Sequence, residues 1–255
     1  MEAGLGTPLL DFFRRGEAAR DVRMLAARGA IAPRALEQLG ILIVLSSDAD
    51  SEIRETAEQT LRTLPVESIA TFIARSDVPL EMREFFTRRG IEPAASSGDA
   101  SDEPLVDAEA APIEDPGDDE QTVTQRLAAM TVPEKVRAAI KGTREMRVQL
   151  IRDPNRMVAF AVLSCPKVSE QEVETFARMT NVSSDILRTI GQTRAWIKNY
   201  GVVAGLAKNP KTPVALSLNL LNRLMPREIR VISTDRNVPE PLRLAARRRM
   251  VEGER

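Results

Sequence analysis

The chain has 255 residues, 43% of them hydrophobic and 4% aromatic, with a formal net charge of −1. One cysteine, Cys165, and no histidine exclude an intramolecular disulfide, every Ser-His-Asp or Cys-His triad, and the commonest metal ligand. No apolar run approaches the roughly 18 residues of a membrane span, and Met1-Glu2-Ala3-Gly4 opens no signal pattern, so a non-catalytic cytoplasmic protein without cofactor is expected.

The net charge hides a division. Residues 1–90 carry twelve basic and fourteen acidic groups, residues 91–120 eleven acidic groups and no Lys or Arg, and residues 121–255 twenty-four basic and twelve acidic. Three regions follow: an N-terminal helical domain over 1–90, an acidic linker over 91–120 and a basic helical domain over 121–255.

In chain order, Arg20–Arg28 reads as a helix stopped by Gly29, a residue suited to the left-handed conformation past a helix end. Pro33 lies in the first turn of an apolar stretch over Ala35–Leu45. Asp48-Ala49-Asp50-Ser51-Glu52 supplies N-cap oxygens for Ile53–Leu64, Pro65 ends that helix, and Val66–Arg75 forms the next. Asp77-Val78-Pro79 opens a last helix that ends at Arg89-Gly90. Residues 91–120 are charged, punctuated by Pro and Gly and poor in large apolar groups. They cannot bury enough surface to offset ordering entropy, so a disordered, extended linker is expected. Leu105, Val106 and Ile113 are its few groups able to dock.

Beyond the linker a turn recurs every 28 residues, at Asp153-Pro154, Asn181-Val182, Asn209-Pro210 and Asn237-Val238. Five residues past each stands Val158, Ile186, Val214 or Leu242; nine past stands Val162, Ile190, Leu218 or Ala246. Asn and Asp at such turns accept backbone N–H groups. The helices following the anchors are expected over 155–164, 183–191, 213–223 and 239–250. Those preceding them are expected over 143–152, 170–179, 197–208 and 226–234. Helices of this length are marginal alone and need neighbouring repeats to cover their apolar stripes. Asp77-Val78-Pro79 echoes Asn237-Val238-Pro239, and Asp48 precedes Asp77 by 29 residues. The expected fold is therefore an all-α solenoid of short two-helix repeats, split by the linker.

These turns and apolar columns resemble the armadillo/HEAT class of α-solenoids, and in unit length the leucine-rich repeat variant proteins. The resemblance is one of architecture and carries over no functional residue. It implies a surface for holding another macromolecule.

Two groups of residues are candidates for that surface. Arg152, Lys208 and Arg236 stand immediately before three of the anchors, with Thr180 in the fourth place. In a regular stack they would form a cationic ladder for an acidic partner, unless they merely complement the ends of their helices. Arg194, Trp196, Lys198 and Tyr200 hold the only Trp and Tyr, four residues apart and so on one helical face. Gly201 and Gly205 follow and permit close packing. Core filling between repeats is the competing reading for the aromatics. Arg243 with Arg247-Arg248-Arg249 suits the polar face of a capping repeat. Glu170, Glu172 and Glu174 suit a helix start, and Cys165 a buried small hydrophobe.

A protein partner is the leading expectation, with the acidic linker as an internal competitor folding back on the basic domain. Nucleic acid is a weaker match: basic and acidic residues alternate, and aromatics for base stacking are few. A structural module of a larger assembly is the third reading.

Overall fold

The computed structural model describes residues 7–95, 102–105 and 120–253. These form sixteen α-helices and one 3-10 turn, with no strand among the described residues. Val106, Ile113 and most of the expected linker lie outside them.

Contact density divides the chain into two compact units, Met1–Pro166 and Lys167–Arg255. This boundary lies beyond the expected 91–120 linker. The first unit holds α1 (Pro8–Arg14), α2 (Arg20–Ala27), α3 (Ala35–Leu45), α4 (Ser51–Thr63), α5 (Val66–Ile73) and α6 (Leu80–Thr87), then α7 (Glu120–Ala129), α8 (Val132–Lys141), α9 (Arg144–Leu150) and α10 (Arg156–Ser164). The reason for the shifted boundary is packing. Helix α1 lies on both α3 and α10, and α2 touches α8. The Phe12 ring meets that of Phe160 at 5.2 Å. Residues on both sides of the acidic stretch thus share one core.

Helices α1, α7 and α8 lie outside the expected pattern. The α8 signal is local: Thr131 and Glu134 form a capping box, and Pro133 sits in the first turn. The stops expected at Gly29 and Gly90 are present, with φ of 80° and 82°, where only glycine avoids a Cβ clash.

The unit repeats a three-helix motif. Five-residue connectors join α3 to α4 and α9 to α10. In the first, Asp48 accepts from the N–H of Asp50 at 2.9 Å, and Asp50 in turn caps Glu52 at 3.0 Å. In the second, Asp153 accepts from Asn155 at 2.8 Å and Asn155 caps Met157 at 3.0 Å. The same side-chain turn opens both helices, as the anchor reading expects.

The second unit holds α11 (Glu170–Arg178), α12 (Ser184–Gln192), the 3-10 turn Trp196–Lys198, α13 (Tyr200–Lys208), α14 (Val214–Leu221), α15 (Pro226–Thr234) and α16 (Glu240–Gly253). Helix α11 packs on α13 and α14 on α16, so first helices neighbour first helices and second helices second. This is a stack of three two-helix repeats.

The true repeat is uneven. Connectors 179–183, 209–213 and 235–239 have the same conformation, which aligns Asn181 with Lys211 and Asn237, at spacings of 30 and 26 residues. The buried position next to each is Val182, Thr212 and Val238, at 0, 2 and 2% exposure, matched in the first unit by Val78 at 4%. Asn209 is therefore two residues out of register. The cause is the 3-10 turn inserted before α13. The apolar columns shift with it: Val158, Ile186 and Leu242 are fully buried, whereas Val214 and Leu218 are half-exposed and Ser217, Leu220 and Leu221 face inward instead.

Candidate functional site

The second unit carries a groove of about 390 Å³ over α13, lined by Arg178, Thr180, Tyr200, Gly201, Ala204, Lys208 and Glu228 among others. Its floor is the small-residue face of α13. A Cβ on Gly205 would lie 3.1 Å from Cγ of Arg178 and 3.2 Å from Cβ of Ala177, so α11 and α13 meet nearly backbone to backbone. At Gly201 the Glu174 carboxylate takes the space a Cβ would need. These contacts bear out the close packing expected of both glycines.

Buried polar bonds fix the groove's far end. Asn209 is 4% exposed. Its amide Nδ2 donates to the carbonyls of Ala177 and Met179, both at 2.9 Å, while Oδ1 accepts from the N–H of Lys211 at 3.0 Å. The otherwise orphaned carbonyls at the end of α11 are thus satisfied by the following repeat. Charge is arranged in pairs on the walls: Arg178 lies against Glu174 and Lys208 against Glu228. At the near lip the Tyr200 hydroxyl accepts from the N–H of Met225, the N-cap of α15, at 3.0 Å.

The groove takes one residue from each candidate group, Tyr200 and Lys208. The others lie elsewhere. Trp196 and Tyr200 do not share a helical face, because Asn199 interrupts the expected 197–208 helix: its Oδ1 accepts from Gly201 N at 2.8 Å and starts α13 afresh. Trp196 is half-buried in the 3-10 turn, with Arg194 and Lys198 exposed on either side. The backbone of this turn is held by Arg223, which donates to Ile197 O at 2.6 Å.

Within the second unit Lys208 and Arg236 do not occupy equivalent places. Lys208 ends α13, whereas Arg236 sits in the connector after α15, level with Pro210 rather than with Lys208. Arg152 belongs to the other unit and turns back on its own helix, donating to Val148 O at 3.0 Å and to Gln149. Helix-end complementarity accounts for it.

Several of the remaining candidates have structural partners. Glu172 closes a capping box with Ser169, and Glu170 accepts from Asn199 at 3.1 Å. Arg243, Arg247 and Arg249 bond to Asp235, Ser233 and Asn222. Cys165 is buried with its Sγ 3.0 Å from Ile140 O. Among the described residues there is no group of three His, Cys, Asp or Glu able to hold a metal, and no helix long and apolar enough to cross a membrane.

Part of the acidic segment also departs from expectation. Asp102–Leu105 lies on the start of α3, not on the basic half: Ala35 N donates to Asp102 O at 3.0 Å, and Leu105 N to Gln38 Oε1 at 2.7 Å. The free amide at the α3 N-terminus, beside Arg34 and Arg75, draws it there.

Sequence reasoning missed Arg178, Glu228 and the acidic dock. The available signal for the groove was Gly201 and Gly205, four apart on α13 next to Ala204. No protein-family model, curated protein or solved structure matches the chain. Fold and site together define an all-α helical-repeat protein.

Proposed function

We propose that this chain is a non-catalytic scaffold or adaptor of the armadillo/HEAT kind, acting in the cytoplasm and holding a segment of a protein partner in the groove over α13. The observation that carries this reading is the groove's construction. Its floor carries no long side chain: Gly201 and Gly205 let α11 close on α13, and only the methyl group of Ala204 stands between them. Tyr200 at the lip is the residue type that anchors protein interfaces. The paired walls offer Arg178 and Lys208 to a partner carboxylate and Glu174 and Glu228 to a partner cation.

The unit from Lys167 onward carries sixteen basic and nine acidic groups, which favours approach of an acidic partner. A nucleic acid suits the groove less well. Base stacking has little to work with there: Trp196 and Tyr200 are the only Trp and Tyr of the chain, and Trp196 does not line the groove.

The test is a photo-crosslinking amino acid at the exposed groove residue Thr180, in the full chain and in its native cell. A protein adduct lost in an Ala204→Met variant, whose longer side chain fills the floor, supports the reading. An adduct unchanged by Ala204→Met, or adducts to nucleic acid alone, refutes it.

A further inference from the structure

Helix α3 starts without a cap of its own. Arg34, its N-cap residue, makes no side-chain cap bond. The first helical N–H, that of Ala35, is satisfied instead by the carbonyl of Asp102, 67 residues further along the chain, at 3.0 Å. Three residues on, the N–H of Leu105 donates to Gln38 Oε1 at 2.7 Å. Gln38 is 1% exposed, and its Nε2 donates to Gly29 O at 2.9 Å, which fixes the amide with its oxygen toward the visiting backbone. A helix start and a buried, oriented amide thus read one carbonyl and one N–H of a short peptide.

Charge adds a third reading. The Asp102 carboxylate lies 3.5 Å from Nη1 of Arg75 and 3.9 Å from Nε of Arg34. Arg75 is itself held in place: Asp77 takes its Nε and Nη2 at 2.9 and 2.6 Å, and its guanidinium lies 5.1 Å over the Phe72 ring. Its Nη1 is the atom that faces Asp102. Asp102 keeps 43% of its side chain exposed, and solvent screening makes an ion pair so placed weak. Occupancy by Asp102–Leu105 therefore depends on tethering, which supplies an effective concentration on the order of millimolar.

Recognition uses the peptide's backbone and one carboxylate, so it is not confined to this chain's own segment. We propose that Arg34, Ala35 N–H, Gln38 and Arg75 form a binding site for an extended acidic peptide of a partner protein, and that Asp102–Leu105 occupies it in the free chain as a displaceable internal ligand. The site lies in the first unit and is independent of the groove over α13.

The experiment uses the full chain and a fluorescent synthetic peptide of sequence Ser-Asp-Glu-Pro-Leu-Val, read by anisotropy. Asp102→Ala with Leu105→Pro empties the site, since proline has no N–H for Gln38. This variant should bind the peptide roughly tenfold more tightly than wild type, and adding Arg34→Glu with Arg75→Glu should abolish the gain. Asp102→Ala alone, at a half-exposed position, serves if the proline variant loses helix by circular dichroism. The proposal is overturned by no binding to the emptied site up to about 1 mM, the concentration a tether supplies, or by binding that survives the double charge reversal. Concentration-dependent dimerisation of wild type that Asp102→Ala abolishes would also overturn it, in favour of segment exchange between two copies.

Discussion

Arg23 closes on both carboxylate oxygens of Asp48, at 2.5 and 2.6 Å, and so ties α2 to the turn that opens α4. The same relationship recurs between α8 and α10, where Lys135 reaches Asp153 at 3.1 Å. Each cation stands fourth in its helix, and each aspartate also accepts an N–H two residues on. One carboxylate thus fixes both the local turn and the approach of a neighbouring helix.

Replacing Asp48 by Ala should then cost more than a turn residue alone. Its side chain is 8% exposed and that of Arg23 24%, so the change strands a largely buried cation. About 2–3 kcal/mol is expected in urea unfolding. A double-mutant cycle with Arg23→Met should recover a large part of it. Additive losses would contradict the coupling.

The two groove glycines should respond differently. A Cβ on Gly201 meets only the end of the Glu174 side chain, which can swing away. Gly201→Ala should stay within about 1 kcal/mol of wild type, since alanine also favours the helix. Gly205→Val meets Ala177 and the stem of Arg178, and should cost about 1–3 kcal/mol by forcing α11 from α13. Thermal unfolding of the two variants distinguishes them.

Acidity acts in two directions within the first unit. Burial raises the Glu37 carboxyl above its ordinary range, against the Thr7 hydroxyl bond and the Arg34 charge that lower it. Its contribution to stability is full below the ordinary carboxylate range and lost as pH rises through the raised value. Glu37→Gln should therefore raise Tm at about pH 7 and give no gain at about pH 3.5. Asp77 is lowered, chiefly by its hydrogen bond from Arg75. That contribution is present above the ordinary aspartate range and lost as pH falls through the lowered value. Asp77→Asn should lower Tm at neutral pH and leave the acid end unchanged.

Much of the fold was legible because turn chemistry is local. Asp48, Asp153 and the glycines at 29 and 90 act on residues beside them, and the sequence displays them directly. The register error at Asn209 has the same root. Asn209 makes a good side-chain turn with Lys211, so it looks like an anchor, yet the 3-10 turn at Trp196–Lys198 has displaced the repeat by two residues. Asn199 broke the expected long helix by equally local means, but its capping role competes with the apolar run that follows it. The groove was not legible as a whole, since Arg178 and Glu228 meet Lys208 and Tyr200 only through the stacking of α11, α13 and α15. The docking of Asp102–Leu105 was hidden for a similar reason: four residues in an acidic run have no periodicity, and their partners stand far away in sequence.

The most direct test of the binding role is crosslinking from Thr180 in the full chain, with Lys208→Glu beside wild type. Lys208 meets Glu228 at the groove wall, so reversing its charge sets two carboxylates where an acidic partner would enter. At least a roughly tenfold loss of the protein adduct is expected, the equivalent of about 1.4 kcal/mol. An adduct of undiminished yield would contradict binding through this groove.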